Sequence, residues 1–300
     1  MLFAIHLSDG VVTWPWLAAG WIGAAVLVLI PLRGLSAQVR NGDDSAIPRL
    51  GVMTAAFFVS SLVHLPLGGV SVHLLLNGLV GLVLGIRAPI AIAVGLAFQA
   101  LFFAHGGLTT LGLNTFVVGL PALLAGAVLP KIINSKVFDS RLLRGLYVAG
   151  LAVVALSLGV LSAQSLAVHK LSTTDEWLFD PQSWWIFEPF VAIGIALAAA
   201  VAVGFERKLE RDPRFPLGML LGASTAGLTV GSNCLVLTFG TGSSLKALGA
   251  VVVVAHLPVI CVEAVACGLI LVFLARVKPE WVGVQAPSAM GTTSSKGTSH

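Results

Sequence analysis

Four of the seven histidines in this chain, His6, His64, His73 and His105, stand at the ends of apolar stretches. An imidazole within or at the edge of a bilayer is costly unless it is paired, hydrogen-bonded or ligated. For any one of them a helix-to-helix hydrogen bond is the plainer explanation. Four converging from separate stretches point to a metal site, because neutral imidazole is the commonest protein ligand of divalent first-row metals. Asp9, Ser71, Asn77 and Asn114 lie near them in the chain and are the candidate outer partners that would fix the ring tautomers.

Other constellations carry less. His256 and Glu263 are seven residues apart on one apolar run, hence on one helix face, where a structural bond across the bundle outweighs a proton relay. Ser71 and His73 do not form a hydrolase dyad, since residues two apart on a regular element do not meet in the required geometry. No HExxH, no Walker A sequence and no dinucleotide fingerprint occurs, so any ATP-driven work belongs to another subunit. Cys234, Cys261 and Cys267 lie in apolar runs without a CxxC pair and read as small core residues.

The elements that must position these groups are membrane helices. The chain is 57% hydrophobic and 10% charged, with a mean hydropathy of +0.98, values that a soluble domain of 300 residues does not reach. Apolar runs fall at 11–32, 50–67, 71–86, 88–105, 107–130, 145–168, 184–204, 217–239 and 246–275. Crossing a hydrocarbon core of about 30 Å takes about 20 helical residues, so the runs between 50 and 105 are marginal and candidates for broken or re-entrant elements. The Gly68-Gly69 pair between His64 and His73 marks the expected irregularity. No basic stretch and small-residue cleavage site mark a removable signal peptide.

Fourteen of the seventeen Lys and Arg residues fall in segments 33–49, 131–144, 205–216 and 276 onward, which the positive-inside rule assigns to the cytoplasm. The same rule accounts for the pI of about 9.2 without nucleic acid as a partner. Threading the runs from these loops leaves the N-terminus outside and the C-terminus inside, with all four histidines in one external layer. Gly20 and Ala24, Gly81 and Gly85, Gly218 and Gly222, and Gly227 and Gly231 are spaced for close helix contact. The expected fold is an all-α polytopic transmembrane bundle of about seven to nine segments. Residues 1–276 form its integral membrane metal-binding domain, and 277–300, rich in Ser, Thr and Gly, a disordered tail.

Four ordered motifs then carry a resemblance. His6-Leu-Ser-Asp9-Gly10, Gly69-Val-Ser71-Val-His73, His105-Gly-Gly-Leu-Thr-Thr-Leu-Gly-Leu-Asn114 and His256-Leu-Pro-Val-Ile-Cys-Val-Glu263 resemble the motifs of the CbiM/NikM family, the substrate-capture components of energy-coupling-factor transporters for cobalt and nickel. The resemblance implies a multi-pass subunit in the cell membrane of a prokaryote that carries Co²⁺ or Ni²⁺ as substrate, with no organic cofactor. It also implies an integral membrane coupling subunit, cytoplasmic ABC ATPases and a small accessory membrane subunit as partners. In the family the ligands are the N-terminal amine, the backbone nitrogen and imidazole of the second residue, and the histidine of the Gly-x-Ser-x-His motif. Here the matching imidazoles are those of His6 and His73.

One departure follows from that comparison. The family's histidine comes directly after the initiator Met, whereas Met1 to Ile5 precede His6 here. Unless trimming exposes Ile5, the amine ligand is absent and its place falls to His64 or His105, the latter at a position where the family more often has an acidic residue. Two alternatives predict different chemistry. A membrane metalloenzyme on the same histidines needs a nearby general base, for which Asp9 is the candidate. A vitamin-capturing subunit would have little use for four imidazoles.

Overall fold

The computed structural model describes residues 3–4, 6–62, 64–67, 70–134, 212, 214–241 and 246–282, with single positions at 145, 200 and 204. The described elements are β1 (Phe3–Ala4), α1 (Trp14–Arg40), α2 (Ala46–Ser60), β2 (His64–Leu67), β3 (Val70–His73), α3 (Asn77–Leu84), α4 (Ala88–Phe103), α5 (Leu111–Asn134), α6 (Arg214–Gly240) and α7 (Lys246–Val277). Among the described residues, five segments are long and apolar enough to cross a membrane: Trp14–Arg40, Asn77–Phe103, Leu111–Val128, Arg214–Gly240 and Val259–Val277. The chain is a helical, multi-pass membrane protein. The expected runs at 145–168 and 184–204 lie outside the described residues.

Helix α1 shows why the surface belongs in lipid. Pro15 opens its first turn and Asn41 closes it; at about 1.5 Å per residue, its 27 residues reach across a bilayer. Yet Trp21, Ile22, Val26, Leu29 and Ile30 stand exposed along it, an apolar face that water would not tolerate at this length. Its inner face packs on α5 in parallel: a Cβ on Gly20 would meet Leu113 Cα at 2.5 Å, and one on Gly23 would meet the Phe116 ring at 2.5 Å.

The 77–103 segment is not one straight rod. Asn77 bonds to Val118 O of α5, and Gly81 lies against Ala122 and Gly126, so α3 runs parallel to α5. Gly85 then takes φ +57, and Gly119 faces Pro89 at 3.5 Å, so α4 returns along the same helix. The chain thus dips from the β-sheet and comes back, the broken geometry expected for these short apolar runs. Arg87 at the turn donates to Gln38 near the far end of α1.

Helices α6 and α7 form an antiparallel pair through small residues. A Cβ on Gly218 would meet Gly268 Cα at 2.7 Å, and one on Gly222 would meet Glu263 O at 2.6 Å. These pairs lie where their spacing predicts. Gly227 and Gly231 differ, with nothing among the described residues within 4 Å of a Cβ there. Beyond α7, Pro279–Trp281 forms a 3-10 turn that returns to the bundle, with Arg49 stacked 5.5 Å from the Trp281 ring; residues 283–300 of the expected tail lie outside the described residues.

Among the described residues, the small sheet is the departure from an all-helical fold. Strand β2 pairs antiparallel with β3 in the register His64 to His73 through Leu67 to Val70, and β1 adds in parallel, Phe3 beside Val70 and Ala4 beside Ser71. Its order is β1-β3-β2. Gly68 and Gly69 lie outside the described residues.

Candidate metal centre

The segment carrying His6 is held by its backbone. Leu7 N–H donates to Asn114 Oδ1 at 2.9 Å, and Leu7 O accepts from Asn114 Nδ2 at 3.0 Å and from Thr110 Oγ1 at 2.6 Å. Asp9 makes the second tether. Its carboxylate accepts the N–H groups of Leu108 at 3.1 Å, Thr109 at 3.0 Å and Thr110 at 3.3 Å, and the Thr109 hydroxyl at 2.5 Å. Burial pushes the Asp9 pKa up, but the Thr109 hydroxyl and these amides outweigh it and hold the group below its ordinary 3.8. The donors lie just before α5, so Asp9 also satisfies orphan amides at that helix start. Asp9 and Asn114 thus bind backbone, where sequence reasoning gave them the ring tautomers.

His73 ends β3. Its Nδ1 lies 3.0 Å from Leu74 O. A carbonyl only accepts, so Nδ1 carries the proton and Nε2 the lone pair. After Leu74 the chain turns into α3 through Leu76, at φ +49, with no side chain of its own capping the helix. Glu263, from the middle of α7, fills that role. Its Oε1 accepts the Leu75 N–H, and the Leu76 N–H lies 2.9 and 3.0 Å from its two oxygens. The bond across the bundle expected of the His256 and Glu263 pair is therefore made by Glu263. His256 bonds within its own helix, Nδ1 to Val252 O at 2.6 Å.

His105 sits on the turn between α4 and α5. Ala104 at φ +49 and Gly106 at φ +80 flank it in left-handed conformations that only glycine adopts without strain. The His105 N–H donates to Gln99 O at 3.2 Å, closing the end of α4.

These three elements bring three imidazoles together. Ring centroids of His6 and His73 are 4.9 Å apart, those of His73 and His105 5.0 Å, and those of His6 and His105 5.2 Å. One nitrogen from each ring lies within 4.8 Å of the other two. His6 and His73 are buried, at 2% and 1% exposure, and the buried Gln99 amide lies beside the His6 ring. Burial first, then the His73 and His105 charges, hold the His6 pKa well below its ordinary 6.5, against an opposing contribution from Gln99; His256 adds a smaller depression. The ring is therefore neutral at physiological pH, which is the ligating form. Metal–nitrogen bonds of about 2.0–2.1 Å would require the nitrogens to close to roughly 3 Å, a movement within side-chain reach.

The remaining candidates separate. His64 stands opposite His73 in the strand register, and Ser71 opposite Pro66. Asn77 sits in α3 and donates to Thr229 Oγ1 at 2.9 Å and Val118 O at 3.3 Å. Sequence reasoning missed Gln99, which is buried with its amide beside the His6 ring, and Thr110, which holds Leu7. Gln99 had a readable signal, a single amide inside the apolar run Leu96 to Phe103.

The family model described as cobalt uptake substrate-specific transmembrane region, CbiM, matches residues 6–213 and 190–281. The chain belongs to the CbiM family. A putative metal transport protein of Haemophilus influenzae is 37% identical over 121 residues, 40% of this chain and 55% of that protein. The cobalt transport protein CbiM of Anoxybacillus flavithermus is 34% identical over 131 residues, 43% and 52% of the two chains. The chain spans about half the length of these curated relatives. A solved structure described as a truncated transition metal transporter aligns with a TM-score of 0.47 at 19% identity, over 91% of this chain and 99% of that one. The CbiM match begins at His6, so β1 precedes the matched region.

Proposed function

We propose that this chain is the metal-capturing membrane subunit of an energy-coupling-factor importer, with Co²⁺ or Ni²⁺ as substrate and His6, His73 and His105 as the imidazole donors. The observation that carries this reading is the cluster itself: three imidazoles from three separate elements, two of them buried, with one nitrogen of each within 4.8 Å of the others. Buried polar atoms are ordinarily satisfied, and a divalent cation is the partner that suits several neutral imidazoles at once. The names of the relatives, metal transport and cobalt transport, agree with that cargo. In this reading His105 supplies the nitrogen that the family takes from its terminal amine, while an integral membrane coupling subunit and cytoplasmic ABC ATPases supply the work of release.

The metalloenzyme alternative loses its general base, because Asp9 is occupied by four donors from residues 108–110. A vitamin-capturing subunit leaves the imidazole cluster without a purpose. Isothermal titration of the purified subunit with Co²⁺ and with Ni²⁺ tests the reading. His6→Ala and His73→Ala should each weaken binding by at least a hundredfold, and His105→Ala by at least tenfold. His64→Ala, measured alongside, decides whether that residue contributes. Unchanged affinity in the first three variants would refute the reading. Labelled-metal uptake by cells with and without the ATPases tests the partnership.

A further inference from the structure

His256 has no part in the three-histidine group, yet it has the features of a ligand. It is 0% exposed. The bond from Nδ1 to Val252 O puts the proton on Nδ1, because the carbonyl can only accept, and leaves the lone pair on Nε2. That nitrogen is buried and has no hydrogen-bond partner among the described residues. An apolar side chain of similar size would avoid the cost of burying it.

The position of His256 gives the lone pair a direction. Val253, His256, Ile260 and Glu263 recur at three, four and three residues, which places them on one face of α7. Val253 and Ile260 pack in the cluster that contains Leu7 and Leu75, the neighbours of His6 and His73. Glu263 binds the Leu75 and Leu76 amides. His256 is bracketed on that face by residues that touch the two ligand-bearing segments. It lies near enough to His6 for its charge to act there.

We propose that His256 is an exchange ligand: its Nε2 takes the place of one of the His6, His73 and His105 nitrogens on the metal as that ring lets go. The inference rests on the capture reading above. The exchange swaps one neutral imidazole nitrogen for another, so it forms one metal–nitrogen bond as another breaks and moves no proton and no electron. It also ties the metal to α7, which packs closely on α6 at Gly218 and Gly222.

The test compares His256→Ala and His256→Asn with wild type. The asparagine amide can donate to Val252 O as Nδ1 does, but it has no group in the place of Nε2. Equilibrium Co²⁺ affinity, measured by titration of the purified subunit, should stay within about threefold of wild type in both variants. Uptake of labelled Co²⁺ by the native host carrying each variant should fall at least tenfold in both. Normal uptake in His256→Asn would overturn the proposal, since rescue by the amide indicates a structural role. Loss of affinity as large as in His73→Ala would overturn it too, by making His256 a capture ligand. If wild type itself binds no metal, the capture reading has failed and this one with it; if wild type and the His256 variants bind alike and transport alike, only this one has.

Discussion

Truncating Glu263 to alanine removes a carboxyl group that no neighbour can replace. Leu75 and Leu76 are buried, and their amides lead into α3, which has no cap from its own residues. Each buried N–H left without an acceptor costs about 1–3 kcal/mol, so two of them cost roughly 2–6 kcal/mol before the chain relaxes. Taking about 3 kcal/mol as the residual, and about 2–4 °C per kcal/mol for a large domain, the melting temperature in detergent should drop by about 6–12 °C. Glutamine keeps one carbonyl oxygen within reach of both amides, and Glu263→Gln should lose no more than about 1 kcal/mol.

The same variants report on the metal. His73 lies two residues before Leu75, so freeing those amides loosens the strand end that aims its ring. Glu263→Ala should therefore weaken Co²⁺ binding by about tenfold, or about 1.4 kcal/mol, whereas Glu263→Gln stays near wild type. The measurements are differential scanning fluorimetry and metal titration on the same preparations. Glu263→Ala with an unchanged melting temperature and unchanged affinity would refute the view that α7 holds the His73 segment in place.

Asp9→Ala should lower stability by about 1 kcal/mol, the usual cost of a lost helix cap, seen as a shifted melting curve above pH 4 that merges with wild type as acid protonates Asp9. The sign follows from its depressed pKa: the contribution is present above 3.8 and is lost as pH falls through the lower folded value. His6 titrates in the opposite chemical sense but the same direction. With its pKa below 6.5, the folded protein gains nothing from it above that value and loses stability as pH falls from 6.5 toward the folded pKa, because the unfolded ring takes the proton first. Nitrogen-15 imidazole spectra of the metal-free protein should show His6 still neutral at pH 6.0, where an unshifted ring is about three-quarters protonated; a midpoint near 6.5 would contradict the buried cluster. Ala104→Gly should raise stability by up to about 1 kcal/mol by relieving its left-handed backbone without changing metal affinity, as read by thermal unfolding.

The helices were legible in the sequence because lipid imposes them. A backbone in hydrocarbon must satisfy its own hydrogen bonds, so every long apolar run within the described residues became a helix. The short runs were ambiguous for the reason that periodicity fails there: His64 to Leu67 and Val70 to His73 are apolar enough for helix or strand, and Pro66 and the β-branched Val70 and Val72 tipped them into the sheet. His6, His73 and His105 were found by residue type and position, and the fold brings them together. What the sequence could not disclose were contacts made over great chain separations. Glu263 caps a helix 187 residues upstream, and Asn114 grips Leu7 across 107 residues. No local pattern records either.

That division bears on how the metal could be let go. The three imidazoles ride on three different supports: His6 on a segment clamped by Asn114, Thr110 and Asp9, His73 on a strand end fixed by Glu263, and His105 on a left-handed turn. Two of those supports are fastened to α5 and the residues just before it, and the third to α7. A shift of α7 relative to α5 would therefore move His73 away from the other two rings without unfolding anything, and a nitrogen separation that must close to roughly 3 Å on the metal is sensitive to displacements of an ångström. The α6–α7 pair is joined by close glycine contacts. A partner that grips α6 or α7 would then act on the site through Glu263, which is why loss of that carboxyl group should weaken the hold on the metal itself, whereas loss of His256 should leave capture intact and stop transport.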